Sequence, residues 1–162
     1  MLENQEWVAI DRVRRGALTV QSAVIVDPWE REGFDTLAVV RTPYEARHDG
    51  LPTSAGFDRA EGVENQVVPV LERTGALFVG RTKAEGVSSL YFYGSADMFP
   101  KEIAVSKKSW FSKKTAVHQV EARPDPMWLF YEEELKPTPV EYEIVRSRPL
   151  HNALKQHGDR HE

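Results

Sequence analysis

The segment ALFVGRT-KAEG-VSSLYFY, residues 76–93, holds two apolar runs separated by a short polar connection. The runs at 76–82 and 87–93 are rich in β-branched and aromatic residues, and the connection ends in Gly86. Such a connection is typical of a β-hairpin, because glycine adopts the positive φ that tight turns need. The sequence therefore predicts two paired antiparallel strands here.

The residues before this hairpin predict an amphipathic helix. Apolar side chains recur at steps of three and four residues between Phe57 and Leu71, with acidic residues largely between them. This is the period of one helix face, so the apolar stripe is expected to pack on a core. Thr53 or Ser54 is placed to cap the amino end. Pro69 predicts a kink or an early end, because proline lacks the amide donor that a helix interior requires.

Further elements are predicted on both sides of the helix and hairpin. A strand at 36–42 precedes the helix, and Pro43 closes it. After the hairpin, apolar residues such as Ile103 predict a second helix near 97–110, and a strand follows at 116–123. From residue 36 onward the order is therefore strand, helix, strand, strand, helix, strand.

This βαββαβ order is the ferredoxin-like plan, a four-stranded antiparallel sheet with both helices on one face. We therefore predict one α+β domain over residues 1–162, with its core at 36–123, an N-terminal β-hairpin at 6–27 and a C-terminal helical extension at 127–158. The two strands that this plan places at the centre of the sheet, 36–42 and 87–93, are apolar on both faces. Their second face is thus expected to be covered by the C-terminal helices, by another subunit or by a ligand that stacks on aromatic rings.

Composition restricts the classes of function. The chain has 162 residues, no cysteine and a formal charge of −4 at pH 7. Without cysteine there is no disulfide, thiolate metal site or cysteine nucleophile, and the composition fits a reducing cytosol. Uninterrupted apolar runs are only about four residues long, far below the roughly 20 that a membrane span needs. We therefore expect a cytoplasmic protein that has no transmembrane helix and no signal peptide.

Several short motifs occur in an order that resembles a known family. They are DGLP (49–52), VGR (79–81), LYFY (90–93), DP (125–126) and LKP (135–137), with Trp128 and Tyr131 between the last two. Together they resemble the bacterial domain-of-unknown-function family 695, over most of residues 7–158. Members of that family are often joined to a domain similar to the RraB-type inhibitor of ribonuclease E. The resemblance therefore implies, by analogy, a protein that binds a nuclease, and it implies no catalytic residue, cofactor or ligand.

The segment 124–145 is acidic and rich in aromatic residues. It contains six carboxylates against one lysine, Lys136. Such a face suits the basic surface of a nuclease or toxin, because complementary charge steers association. We therefore predict a non-catalytic regulator or inhibitor, immunity-like in its action; a solvated helix exterior is the alternative interpretation. The predicted partner-binding residues are Asp125, Glu132, Glu133, Glu134, Glu141 and Glu143.

A basic and aromatic stretch supports an alternative function, the binding of single-stranded RNA. Residues 107–114 carry four lysines around Trp110 and Phe111. Lysines neutralise phosphates and aromatic rings stack on bases. The alternative interpretation is that the aromatic residues pack inside the protein, and the overall negative charge disfavours nucleic acid. The predicted RNA-binding residues are Tyr91 and Tyr93, which alternate on one strand face, and Lys107, Lys108, Lys113 and Lys114.

An enzymatic function receives little support from the sequence. His48 precedes Asp49, and His118 lies near acidic residues, but no nucleophile elbow, phosphate-binding glycine loop or metal-ligand signature accompanies them. We expect no catalytic residue, no metal and no cofactor. Pairing of the acidic and basic segments fits either one fold or a homodimer. A cluster of C-terminal histidines is interpreted as a solvated terminus rather than a metal site; its members are His151, His157 and His161.

Overall fold

The structure, a computed structural model, describes residues 5–109 and 112–158, with side chains at all of these positions except 107–109, 112–114 and 149–158. Its elements confirm the α+β class. No helix within these ranges is long and apolar enough to cross a membrane. The elements are β1 (Trp7–Arg14), β2 (Ala17–Val24), β3 (Thr36–Pro43), α1 (Ser54–Glu72), β4 (Leu77–Ala84), β5 (Val87–Gly94), β6 (Glu102–Ser109), β7 (Ser112–Gln119), β8 (Glu121–Pro124), a π-helical turn (Tyr131–Leu135) and α2 (Pro139–Gly158).

Six of these strands form one antiparallel sheet in the order β1-β2-β4-β5-β3-β8. The hairpin predicted at 76–93 is confirmed as β4 and β5, which turn at Glu85 and Gly86 with positive φ angles of 50° and 78°. A second hairpin, β1 and β2, turns at Arg15 and Gly16 with φ angles of 49° and 81°. Both hairpin tips therefore carry a charged residue followed by glycine in the left-handed region.

The segment predicted as the second helix is instead a strand. β6 pairs with β7 along its length, in a two-stranded sheet of its own. Ile103 is buried and Val105 half-buried, whereas Ala104 and Ser106 are exposed, so the side chains alternate as they do in a strand. The strand predicted at 116–123 is likewise divided between β7 and β8. The chain from β5 to β8 thus runs through a hairpin, and the ferredoxin-like plan is not confirmed.

Different elements cover the two faces of the six-stranded sheet. On one face, the even-numbered residues of β3 and β5 pack with Val67 and Leu71 of α1 and with Ile103 of β6. On the other, the odd-numbered residues of the same strands pack against the segment after β8. The second face is therefore covered by the chain's own C-terminal segment. Its residues in this core are Trp128, Tyr131 and Leu135.

Helix α1 begins and runs largely as its sequence predicts. The hydroxyl of Thr53 accepts a hydrogen bond of 3.1 Å from the amide of Gly56, which caps the helix. The helix does not end at Pro69 but continues to Glu72. The apolar stripe of α1 packs on one face of the sheet, and the opposite face is covered by the segment after β8.

Candidate functional site

Asp125 begins the segment that covers the second face of the sheet. Its side chain is buried and accepts hydrogen bonds from the Tyr93 hydroxyl at 2.6 Å and from the amides of Leu129 and Phe130 at 2.9 and 3.1 Å. Burial and the neighbouring carboxylate both raise the pKa of Tyr93, so this hydroxyl stays protonated and donates. Asp125 therefore holds the segment on the sheet through these three hydrogen bonds.

An aromatic cluster anchors the same segment. The ring of Trp128 stacks on Tyr93 with centroids 3.8 Å apart, and its indole N–H donates to the carbonyl of Phe34 at 2.6 Å. The Tyr131 hydroxyl donates to the carbonyl of Val24 at 2.9 Å and accepts from the amide of Val26 at 3.0 Å. These bonds satisfy the polar tips of buried rings, so the segment is fixed in one position.

The two tyrosines proposed for base stacking face this cluster. Tyr93 has no exposed surface, and Tyr91 is 9% exposed and packs on Phe130 with centroids 4.8 Å apart. A nucleic-acid base could stack on Tyr93 only after displacing Trp128. Both rings therefore serve the core, as the alternative interpretation of the sequence has it.

The four lysines of the same prediction lie on the β6–β7 hairpin. Lys107 is opposite Lys114, and Lys108 is opposite Lys113. Trp110 and Phe111, between them, lie outside the described residues. The strand pairing places all four lysines at one end of this hairpin, and their role in binding stays a prediction.

Arg12 fixes the start of α2 to the first strand. Its guanidinium donates to both carboxylate oxygens of Glu141, at 2.6 and 2.7 Å, and to the carbonyls of Glu134 and Lys136 at 2.9 and 3.0 Å. Glu141 also completes a capping box with Thr138, with bonds of 2.9 and 3.2 Å. The hydrogen bonds from Arg12 lower the pKa of Glu141 to about 2, against the opposite effect of partial burial.

Two further acids of the predicted face are paired within the fold. Glu134 forms an ion pair with Arg14, and Glu132 forms one with Arg31 at 2.7 Å and a longer one with Lys136 at 3.3 Å. The arginines come from β1 and from the turn after β2, more than 100 residues away in the chain. Much of the acidity of the segment is thus neutralised by arginines from the N-terminal part of the protein.

Glu133 and Glu143 are the two exposed acids of this set that have no ion-pair partner among the described side chains. Glu132 is exposed as well, but its carboxylate is paired. The six predicted partner-binding residues therefore divide into four that hold the C-terminal elements in place and two that remain available to a partner.

Exposed apolar side chains lie beside these two acids. Leu129 is 54% exposed, Val140 69% and Ile144 53%. Glu133 lines one surface depression together with Leu129 and a second one together with Pro139. Pro139 in turn lines a third depression with Val140 and Ile144, so the three apolar side chains belong to one continuous surface. Sequence reasoning missed the apolar members, although the spacing of four between Val140 and Ile144 is the signal of a helix stripe. We call the surface formed by Leu129, Glu133, Val140, Glu143 and Ile144 the α2 surface.

A groove of about 830 Å³ lies over the part of the second sheet face that the C-terminal segment leaves open. Hydroxyl groups form its floor, and the hydroxyls of Thr82 and Tyr91 are hydrogen-bonded at 3.0 Å. Sequence reasoning missed this sheet groove, because its residues come from both hairpins, β3 and β8. Its charged residues are Arg14, Arg15, Arg41 and Arg123, together with Glu85, Asp125, Glu133 and Glu134.

The histidines with described side chains, His48 and His118, do not form a catalytic arrangement with their neighbours. Asp49 pairs with Arg47 at 2.5 Å and accepts a hydrogen bond from the amide of Leu51, so its carboxylate is engaged by these groups and does not orient His48 as a base. The Nε2 atom of His118 is buried without a hydrogen-bond partner, and burial, with the charge of Arg59, lowers its pKa. Within the described ranges, no group of three or more candidate ligands is placed to hold a metal ion. The C-terminal residues Asp159 and His161 lie outside those ranges, as do the side chains of His151 and His157.

Comparison with known proteins gives one match. A family of unknown function, DUF695, matches residues 18–135, which run from β2 to the end of the π-helical turn. No curated protein and no solved structure matches the chain. The matched residues include the floor of the sheet groove and the segment that covers the second sheet face, and they make up well over half of the sequence. The chain therefore belongs to the DUF695 family.

Proposed function

We propose that this chain is a non-catalytic protein-binding module that docks its α2 surface on a basic partner, such as a nuclease or a toxin, and so regulates or inhibits it. The observation that carries the proposal is the outward placement of Glu133 and Glu143 beside exposed apolar side chains. The composition of the chain, which lacks cysteine, suits action in the cytoplasm.

The α2 surface has the composition of a specific protein interface. Leu129, Val140 and Ile144 supply apolar area to be buried, while the two glutamates select a positively charged partner and increase the rate of encounter. A basic nucleic-acid-binding site is the natural counterpart, because its cations are arranged to receive anionic groups.

The surface is also held in place before binding. Arg12 fixes Glu141 at the start of α2, and Asp125 fixes the segment that carries Leu129 and Glu133. Binding through pre-ordered elements loses less conformational entropy than binding through mobile ones, which favours affinity.

The strand order supports a finer proposal about the fold. Strands β4-β5-β3-β8 are neighbours in that order, and α1 connects β3 to β4 across β5. A ferredoxin-like sheet has the same order of its four strands. We propose a variant of that plan in which the β6–β7 hairpin takes the place of the second helix.

A charge-reversal experiment tests the binding proposal. The tagged protein is used to recover a partner, and the purified partner is then titrated with the parent protein and with a Glu133→Lys/Glu143→Lys variant. We expect saturable, salt-sensitive binding to a basic protein, weakened by about tenfold or more in the variant.

A matched control separates the surface from overall charge. The Glu61→Lys/Glu72→Lys variant makes the same change in net charge at exposed positions of α1 and is expected to bind like the parent protein. Equal weakening in both variants, full binding by the Glu133/Glu143 variant, or a partner that is not basic would contradict the proposal.

A further inference from the structure

The sheet groove has the composition of a ligand site rather than of an incompletely filled core. Its floor carries the hydroxyls of Thr19, Thr82 and Tyr91 where a sheet face beneath a core carries aliphatic side chains. Thr19 is a buried polar residue, and it lies on the same strand face as Ala23, which belongs to the apolar core. A volume of about 830 Å³ is within the range of small-molecule sites, which combine apolar walls with a few directed polar groups.

The rim of the groove carries four arginines and four acids, and two of these arginines are outside the ion pairs of the described residues. Asp125 is already bonded to three donors, and Glu134 is paired with Arg14. The pair of Arg41 with Glu121 lies at the surface, where such pairs contribute little and exchange readily. Among the described residues, Arg15 and Arg123 have no ion-pair partner. Arg15 and Arg123 are therefore the arginines of the rim that an anionic ligand can contact without breaking an ion pair.

An apolar wall stands next to these cations. The guanidinium of Arg123 lies over the ring of Phe130, 5.7 Å from its centroid, and Phe130 in turn packs on Tyr91. Leu129, half-exposed, extends the same wall. The contact with the ring orders the arginine side chain, so less conformational entropy is lost when it pairs with an anion.

We propose that the sheet groove binds an organic anion, a molecule that joins a carboxylate or phosphate group to an aromatic ring. The anionic group pairs with Arg123, the ring lies against Phe130 and Leu129, and the hydroxyls of Thr82 and Tyr91 bind polar atoms near the floor. Leu129 and Glu133 border both this groove and the α2 surface, but Thr82, Tyr91 and Arg123 belong to the groove alone, so variants at these residues distinguish the two proposals.

Titration with simple probes tests the proposal. Phenyl phosphate and benzoate are added in turn to the isotopically labelled full-length chain, and the backbone amide NMR signals of Thr82, Tyr91 and Phe130 are followed. We expect saturable shifts at these residues with at least one probe, and the stronger of the two identifies the anionic group. Benzyl alcohol, which keeps the ring without the charge, is expected to bind at least about tenfold more weakly.

Variants locate the binding. Arg123→Gln is expected to weaken binding by about tenfold or more, whereas Arg73→Gln, at an exposed site away from the groove, leaves it within about twofold. Unchanged thermal unfolding of Arg123→Gln shows that the loss is not a failure to fold. The absence of saturable shifts with both probes, or an equal loss in the two variants, overturns the proposal.

Discussion

At the scale of single residues, Arg12 joins more of the fold than any other side chain described above. Its side chain is 14% exposed, and its guanidinium donates hydrogen bonds to Glu141 and to two backbone carbonyls of the C-terminal segment. Lysine keeps the charge but has no planar fork, so it cannot reproduce the two-oxygen contact and the carbonyl bonds together. We expect Arg12→Lys to lower the free energy of unfolding by about 1–3 kcal/mol in urea denaturation. Arg73→Lys is the matched control, and equal stabilities of the two variants would contradict this role.

Glu141 gives the protein a predictable response to acid. Its pKa of about 2 in the folded protein lies below the ordinary value of 4.5. As the pH falls, the Glu141 carboxylate is therefore protonated in the unfolded chain before it is protonated in the folded one. The stabilisation is therefore complete above about pH 4.5 and is lost as the pH falls toward 2. We expect Glu141→Gln to lower the free energy of unfolding by about 1–2 kcal/mol at pH 7, since solvent screens part of the pair, and to reduce the dependence on pH below 4.5. Glu143→Gln, two residues away and exposed, should leave both quantities unchanged.

At the scale of elements, two glycines of α1 give opposite expectations for the same substitution. A Cβ atom at Gly56 would lie 2.2 Å from the backbone oxygen of Glu45, so the helix and the preceding loop would have to separate. A Cβ atom at Gly62 would meet no described atom within 4 Å apart from its chain neighbours and the backbone of its own helix. We expect Gly56→Ala to destabilise the protein by about 1–3 kcal/mol and Gly62→Ala to stabilise it by up to about 1 kcal/mol. Thermal unfolding measures both; stabilisation by Gly56→Ala would show that helix propensity outweighs the close contact, and destabilisation by Gly62→Ala would contradict the second expectation.

The elements also show which structures the sequence alone predicts. The β4–β5 hairpin and α1 carry their own signals, a glycine turn and an apolar stripe, and both are found where these signals lie. β6 carries no such signal of its own, because the spacing of the apolar residues Phe99 and Ile103 fits either a helix turn or the alternation of a strand. Its pairing with β7 decides the conformation, and that pairing is a contact outside the local pattern.

At the scale of the whole molecule, the C-terminal segment is expected to be necessary for folding, while most of α2 is not. Trp128, Tyr131 and Leu135 are fully buried, and each contributes about 1.5–3 kcal/mol against a usual total of 5–15 kcal/mol. A variant that ends at Pro124 loses all three and should show no cooperative unfolding transition by circular dichroism. One that ends at Arg148 keeps them together with the Arg12–Glu141 pair and should unfold cooperatively. Cooperative unfolding of the shorter variant would show that the second sheet face needs no cover.

The candidate site was less predictable than the fold, because its contacts join residues that are even further apart in the chain than the paired strands β6 and β7. The sequence identifies the acids of the C-terminal segment, but their partners Arg12, Arg14 and Arg31 come from the other end of the chain. Nothing local distinguishes Glu134, which is paired, from its neighbour Glu133, which is exposed. The sheet groove is likewise assembled from separate strands, so it becomes visible only in three dimensions.

The contact between Arg12 and Glu141 joins residues 129 positions apart, and this separation has a consequence for timing during synthesis. A ribosome releases the first strand long before it makes the residues that start α2. Until those residues emerge, Arg12 has no carboxylate to bind and the α2 surface does not exist. The partner proposed for this surface is therefore expected to bind only chains in which the start of α2 has been made and has folded onto β1.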